Sequence, residues 1–211
     1  MRNNFFYIFF IFFLILNFNL SAEELEINSS KIKYDNNLKV TILEGNVSIN
    51  DKKNNKIFSE YAEYKKLEQK IKTIGNTKII TSNGYQVIST NVIFDNKKKL
   101  ISSDYKTQIT DKTGNKILVD MFNYSTLTDI FFSKGKIEIF DVSDNNYSFS
   151  EIYIDENKKK IIGTDVRAYL NSDRIKLTGD NNPRIFANTM SLSENTNTLE
   201  KGVFTYCKIR E

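Results

Sequence analysis

A thirty-residue period runs along this chain and restricts its fold to a stack of repeated units. Written in rows of thirty from Ile27, the sequence places apolar residues in the same columns over five rows without a gap. The columns are Ile27, Ile57, Val87, Ile117, Tyr147; Ile32, Ala62, Val92, Phe122, Ile152; Tyr34, Tyr64, Phe94, Tyr124, Ile154; and Ile49, Ile79, Ile109, Ile139, Tyr169. A sixth row follows an eight-residue insertion and carries Ile185, Met190 and Leu192. Such a period is typical of supersecondary units that bury their apolar faces against one another.

Each row has the pattern of two strands. Apolar residues alternate with polar ones in pairs such as Ile32/Tyr34 and Ile137/Ile139, which is the period of a half-buried strand. Clusters rich in Asn, Asp, Lys and Gly separate these pairs every 10 to 20 residues. The sequence therefore predicts an all-β antiparallel meander of about six 30-residue, two-strand repeats.

Two local features qualify this prediction. Residues 59–72, "SEYAEYKKLEQKIK", could form an amphipathic helix by themselves, but Ala62 and Tyr64 occupy columns that are strand-like in the other rows. We therefore expect strands there, because the repeat outweighs local propensity. Gly45, Gly75 and Gly135 share one column, and glycine before a strand favours a bulge or bend.

The first 22 residues form a separate segment. Arg2 precedes an unbroken apolar run, "FFYIFFIFFLIL", and the segment ends on the small residues Ser21 and Ala22. This order predicts a secretory signal peptide over residues 1–22, cleaved after Ala22, with the remaining domain spanning 23–211. An uncleaved membrane anchor is the alternative. Without this segment the chain carries 29 basic and 26 acidic residues, a balance too mild to predict nucleic-acid binding.

The composition argues against an enzyme. The chain has no His and a single Cys, which removes the common nucleophile–base pairs and zinc ligand sets. Its carboxylates lie mostly in turns or at the polar positions of strands, where a solvated surface role is expected. We therefore predict no catalytic residues, no metal site and no cofactor.

Two stretches carry a family resemblance, "INSSKIKYDNNLKVTILEGNVSI" (27–49) and "VISTNVIFDNKKKLISSDYKTQI" (87–109). They resemble the repeat of the lipopolysaccharide-transport β-jellyroll family, also called organic-solvent-tolerance A-like. The resemblance implies an elongated antiparallel β-jellyroll over residues 23–211, located in the periplasm or associated with the outer membrane. It further implies transport of lipopolysaccharide toward the outer membrane and its assembly there.

A lipid carrier of this kind needs an apolar groove. Holding an acyl chain of a dozen methylenes in water costs on the order of 10 kcal/mol, at ~0.8 kcal/mol per CH₂. The residues that we expect to line the groove are Ile32, Tyr34, Ile49, Tyr64, Ile79, Val92, Phe94, Ile109, Phe122, Tyr124, Ile137, Ile139, Ile152 and Ile154. The same columns could instead form a closed core without ligand, since most inward residues of a β-sandwich only pack.

The end of the chain, "KGVFTYCKIRE" (201–211), resembles the end of the jellyroll in the periplasmic N-terminal domain of the family's outer-membrane assembly member. That resemblance implies a disulfide from Cys207 to a barrel domain; an unpaired thiol or a small core residue is the alternative. The implied partners are lipopolysaccharide, other jellyroll bridge proteins joined end to end by strand addition, and an outer-membrane barrel. Two other functions stay open: a soluble periplasmic bridge protein of the same family, and a secreted β-repeat binding or structural module that carries no lipid.

Overall fold

The computed structural model describes residues 25–172 and 183–206, and these form 18 strands. The strands are β1 (Glu26–Asn28), β2 (Lys31–Asp35), β3 (Val40–Asn50), β4 (Lys56–Lys65), β5 (Lys70–Thr73), β6 (Asn76–Ile80), β7 (Gln86–Thr90), β8 (Ile93–Asp95), β9 (Leu100–Ser103), β10 (Thr107–Thr110), β11 (Lys116–Val119), β12 (Phe122–Ser125), β13 (Ile130–Phe140), β14 (Asn146–Asp155), β15 (Lys160–Tyr169), β16 (Arg184–Leu192), β17 (Asn197–Glu200) and β18 (Val203–Thr205). The predicted all-β class is confirmed, and residues 59–72 are strands β4 and β5 joined by a turn, not a helix. The predicted signal peptide and Cys207 lie outside the described residues.

All 18 strands belong to one antiparallel sheet that folds back on itself. The long strands β3, β4, β13, β14, β15 and β16 pass through both halves, whereas the other strands stay in one half. For example, the first part of β4 pairs with β6 and its last part pairs with β5. We call the line where the strands bend the seam, and the opposite side, where the turns lie, the mouth. The result is two facing half-sheets, which is the predicted jellyroll of two-strand repeats.

Glycine makes the bend at the seam, as predicted. Gly45 and Gly135 have φ of 72° and 102°, and each lies in a bulge of its strand, between Glu44 and Val47 in β3 and between Lys134 and Ile137 in β13. Glycine adopts this left-handed backbone without the steric cost that a Cβ brings. Gly75, with φ of 83°, occupies the corresponding break between β5 and β6.

The apolar columns merge into continuous rows that cross the strands. We call the half-sheet that contains β1, β6, β7, β10, β11 and β18 the first half-sheet, and the other the second. In the first half-sheet, Ile57 pairs with Ile79, which joins two columns that stand 22 residues apart in the sequence. Cross-strand pairs extend this row through twelve strands, and we call it the first mouth row: Ile27, Ile49, Ile57, Ile79, Val87, Ile109, Ile117, Ile139, Tyr147, Ala168, Ile185 and Phe204. Every member is apolar or aromatic.

One predicted column member is wrong. The period places Tyr169 in the first mouth row, but Ala168 pairs there with Tyr147 and Ile185, and Tyr169 is 41% exposed. The reason is a missing residue at the seam. Strand β3 has two residues between Glu44 and Val47, whereas β15 has one residue, Asp165, between the corresponding positions. One residue fewer reverses the face of everything that follows.

Beside the seam, the interior rows contain small polar side chains that bond to one another. The Thr77 hydroxyl donates to Thr73 Oγ1 at 2.7 Å, and Ser89 Oγ and Thr107 Oγ1 are also 2.7 Å apart. All four residues are buried. Their mutual hydrogen bonds offset the cost of removing hydroxyl groups from water.

Candidate functional site

The candidate site is the apolar slot between the two half-sheets. The second half-sheet contributes its own row on the mouth side, which we call the second mouth row: Tyr34, Thr41, Tyr64, Ile71, Phe94, Ile101, Tyr124, Phe131, Ile154, Ile161, Leu192 and Asn197. Residues of both rows belong to one hydrophobic cluster, so the two rows face each other. Apolar side chains at every second position of each strand produce this arrangement.

The structure brings most of the predicted groove residues into this slot. Fully buried are Ile49, Ile79, Val92, Phe94, Ile109, Phe122, Tyr124, Ile137 and Ile152. Half-buried against them are Tyr64, Ile139 and Ile154. Ile32 and Tyr34 continue the rows but are 61% and 57% exposed, because β2 is a terminal strand and its single strand partner among the described residues is β3.

The slot is nearly filled in this conformation. Near its middle a cavity of about 40 Å³ lies among residues of both half-sheets, including Tyr85, Ile109, Tyr124, Phe131 and Glu156. That volume has room for no more than a few water-sized groups. An acyl chain can therefore enter only if the two half-sheets separate.

The turns of the first half-sheet form one side of the mouth, which we call the first lip: 51–55, 81–85, 111–115 and 141–145. Three of them begin with Asp and end with Asn. The Asp111 carboxylate accepts hydrogen bonds from the backbone N–H of Thr113 and Asn115 and from the Asn115 side chain. The side-chain oxygen Oδ1 of Asn115 then accepts the N–H of Val142 in the next turn, at 3.0 Å. Bonds of this kind tie turn 111–115 to turn 141–145, and turn 51–55 to turn 81–85, along the lip.

The turns of the second half-sheet form the second lip: 66–69, 96–99, 126–129 and 156–159. Backbone bonds link each turn to the next, for example from Thr126 N to Lys99 O and from Glu156 N to Asp129 O. The last residue of each turn has a positive φ, 54° at both Lys99 and Asp129. The turn backbone therefore repeats with the same thirty-residue period as the rows.

Two contacts cross the mouth from lip to lip. The Tyr85 hydroxyl of the first lip lies 2.5 Å from Glu156 Oε1 of the second lip. The Lys53 ammonium lies 3.2 Å from Asp129 Oδ2 and also donates to the Leu127 carbonyl oxygen. The partners are 71 and 76 residues apart, so both contacts join rows offset by about two and a half repeats. Similar offsets are expected where two twisted half-sheets face each other at an angle.

The mouth keeps its tyrosines protonated. Burial raises the pKa of the Tyr85 hydroxyl, and the hydrogen bond to Glu156 raises it further. Burial also raises the pKa of Tyr124, whose hydroxyl donates to Asp129 Oδ1 at 3.0 Å, and the Asp129 charge adds to that effect. Both hydroxyls are therefore hydrogen-bond donors to carboxylates at neutral pH.

Sequence reasoning missed the residues that cross the mouth, namely Lys53, Tyr85, Asp129 and Glu156. The sequence carries one signal for Tyr85, because the equivalent positions of the other rows hold Asn55, Asn115 and Asn145. Within the described ranges, no group of three or more His, Cys, Asp or Glu side chains is placed to hold a metal ion. In the same ranges, no helix is both long and apolar enough to cross a membrane.

Comparison with known proteins gave a distant structural likeness. No family model and no curated protein sequence matches the chain. A solved structure with a similar chain path is the crystal structure of LptH from Pseudomonas aeruginosa, the LptA homologous periplasmic component of the conserved lipopolysaccharide transport device. The two share 9% sequence identity, with 74% of this chain and 89% of LptH covered and a TM-score of 0.29.

Proposed function

We propose that this protein is a periplasmic β-jellyroll that shields the acyl chains of lipopolysaccharide in its slot and passes the lipid toward the outer membrane. The observation that carries the proposal is the first mouth row, an apolar row that crosses twelve strands without a polar break. A packed core needs apolar residues, but it does not need them in register from one end of the sheet to the other. Such a row offers an apolar surface that a chain can follow along the whole domain.

The two ends of the slot favour the same role. Ile32 and Tyr34 are exposed at one end, and Leu199 and Phe204 are exposed at the other, although all four continue the interior rows. At these ends, β2 and β18 each have a single partner among the described strands. Terminal strands beside exposed apolar residues suit the addition of strands from another jellyroll. End-to-end docking of like domains would then extend the slot.

The filled interior supports a second candidate, a secreted β-repeat module that carries no lipid. Its basis is the small cavity, since a structural repeat is expected to close its core. The two candidates differ in whether the half-sheets separate in the presence of lipid, and this can be measured directly.

Site-specific photo-crosslinking tests the proposal. Benzoylphenylalanine at Phe94, Phe122 or Tyr124, all buried in the slot, should capture lipopolysaccharide. The same group at Lys97, which lies in turn 96–99 of the second lip, is the control and should not. Equal crosslinking from both sets would rule out the slot as the lipid path and leave the structural module.

Export is part of the proposal and has its own test. Cleavage of the signal peptide after Ala22 should give a periplasmic protein that begins at Glu23. Mass spectrometry of the periplasmic fraction should find that N-terminus. A chain that retains residues 1–22 in the membrane fraction would instead be an anchored protein.

A further inference from the structure

Four turns form a closed ring over the cavity. On the first lip, the N–H of Ser82 donates to Asn55 Oδ1 at 2.9 Å and joins turns 51–55 and 81–85. On the second lip, the N–H of Glu156 donates to the Asp129 carbonyl oxygen and joins turns 126–129 and 156–159. The Tyr85–Glu156 and Lys53–Asp129 contacts close the other two sides of the ring. Tyr85 and Glu156 also line the cavity beneath it.

The ring forms where the chain departs from its own repeat. Tyr85 replaces the Asn that ends the other first-lip turns, and it has no amide oxygen with which to bind the turn that follows. Asp129 is acidic in a column that otherwise reads Lys39, Gln69, Lys99 and Lys159. Lys53 is the cation in a column that continues as Asn83, Thr113 and Ser143. Both cross-mouth contacts therefore depend on side chains that the repeat does not supply elsewhere.

The contacts are of a kind that can open. The side chain of Lys53 is 44% exposed, and an ion pair with one solvated partner holds weakly. Glu156 and Tyr85 are half-buried at the rim, where water can replace either partner. Below them the slot is apolar and nearly full. Separating the lips therefore costs few polar interactions and opens the apolar rows from the side.

We propose that the ring is a latch, in which the Tyr85–Glu156 and Lys53–Asp129 contacts hold the lips together and control the sideways entry of an apolar chain. This rests on the proposed function, because it assumes that the slot receives such a chain. The latch lies at the middle of the mouth, whereas docking at the ends involves β2 and β18. Entry from the side and transfer through the ends are therefore separate steps.

The lip-to-lip distance can be measured with spin labels. Ser82 and Lys158 are exposed on opposite lips, and cysteines at both positions in a Cys207→Ser background accept the labels. The latch variant combines Tyr85→Phe with Lys53→Met. The matched control combines Thr113→Ala with Lys33→Met, because the Thr113 hydroxyl bonds to Asp111 within one turn and Lys33 pairs with Glu44 on the same half-sheet. We expect longer and broader distances in the latch variant and unchanged distances in the control.

Uptake of the fluorescent apolar probe 1-N-phenylnaphthylamine gives the functional readout. The latch variant should take it up on the order of tenfold faster than the wild type. A short bis-maleimide bridge between the cysteines at 82 and 158 should slow uptake. Circular dichroism and thermal melts of each variant verify that the fold is intact.

The outcomes separate the two proposals. Distances and uptake that are the same in the latch variant, the control and the wild type overturn the latch and leave the proposed function standing. Longer distances without uptake by any variant support contacts that hold the lips together, but they overturn the sideways entry of an apolar chain and, with it, the proposed function. Longer distances with faster uptake support both.

Discussion

The ring of Phe149 lies directly over Gly163, on the neighbouring strand. A Cβ added at Gly163 would be 2.4 Å from Cδ1 and 2.7 Å from Cε1 of that ring. The equivalent positions in the other rows hold Ser29, Ser59, Ser89 and Val119 in place of Phe149, and Leu43, Thr73, Ser103 and Ser133 in place of Gly163. This row therefore has its large side chain on the Phe149 side, whereas the first row has Leu43 on the other side. Phe149 and Gly163 are a complementary pair.

Replacing Gly163 by Ala should therefore destabilise the protein by about 1–3 kcal/mol, the usual cost of overpacking. Adding Phe149→Val should recover part of the loss, because it frees the space that the new methyl group needs. Urea denaturation of both single variants and the double variant measures the coupling. Strictly additive losses would mean that the two side chains do not compete for space.

Thr73 should matter more than its neighbour Thr77. The Thr73 hydroxyl oxygen accepts the N–H of Val92 at 2.8 Å in a fully buried position. Thr73→Val leaves that N–H without its partner, at a cost of about 1–3 kcal/mol. Thr77→Val is the control, because the Thr77 hydroxyl donates and no backbone N–H depends on it. Chemical denaturation compares the two, and amide exchange at Val92 should quicken in Thr73→Val alone.

The first-lip aspartates should make the fold sensitive to acid. Burial raises the pKa of Asp111 and Asp141, but hydrogen bonds from Asn115 and Asn145, and from backbone N–H groups, lower it by more, to below the ordinary 3.8. As the pH falls, the unfolded chain therefore takes up protons at these aspartates before the folded protein does. Their contribution to stability is complete above pH ~4 and is lost as the pH falls through the lowered pKa values of the folded protein. Asp111→Asn with Asp141→Asn should flatten this decline.

The measurement is the urea midpoint between pH 6 and pH 2. Asp144→Asn is the control, since Asp144 lies in the same turn as Asp141 but contributes a hydrogen bond to the turn through its backbone N–H. A decline as steep in the double variant as in the wild type would assign acid sensitivity to other groups.

The exposed ends should drive head-to-tail association. Tyr34→Glu and Phe204→Glu place charge on apolar surfaces that docking would bury, so each should weaken self-association by about tenfold or more. Leu67→Glu is the control, because Leu67 is 88% exposed in a turn of the second lip that belongs to neither terminal strand. Sedimentation velocity under reducing conditions measures the effect. A wild type that stays monomeric at high concentration would contradict end-to-end docking.

The sequence pattern predicts which residues form the interior rows, but it does not predict which residues contact each other across the mouth. Both outcomes have physical reasons. Which face a residue takes follows from a period of two, so columns such as Phe94 and Phe122 are interior as expected. The pattern misplaces Tyr169 because β15 has one residue at the seam, Asp165, where β3 has two. Rows aligned without gaps do not show that difference. The contact of Tyr85 with Glu156 depends on the angle between the half-sheets. That angle is set by accumulated twist and bends, which no local pattern encodes.

The closed ring of four turns also bears on cooperativity. In a stack where each strand bonds to its neighbours, unfolding can proceed from an end, one row at a time. The ring joins turns 51–55 and 81–85 to turns 126–129 and 156–159, so the first two rows are tied to the fourth and fifth. The Tyr85–Glu156 and Lys53–Asp129 contacts must therefore break before either pair of rows can unfold separately from the other. The middle of the domain is therefore expected to melt as one unit, while β1, β2, β17 and β18 fray ahead of it.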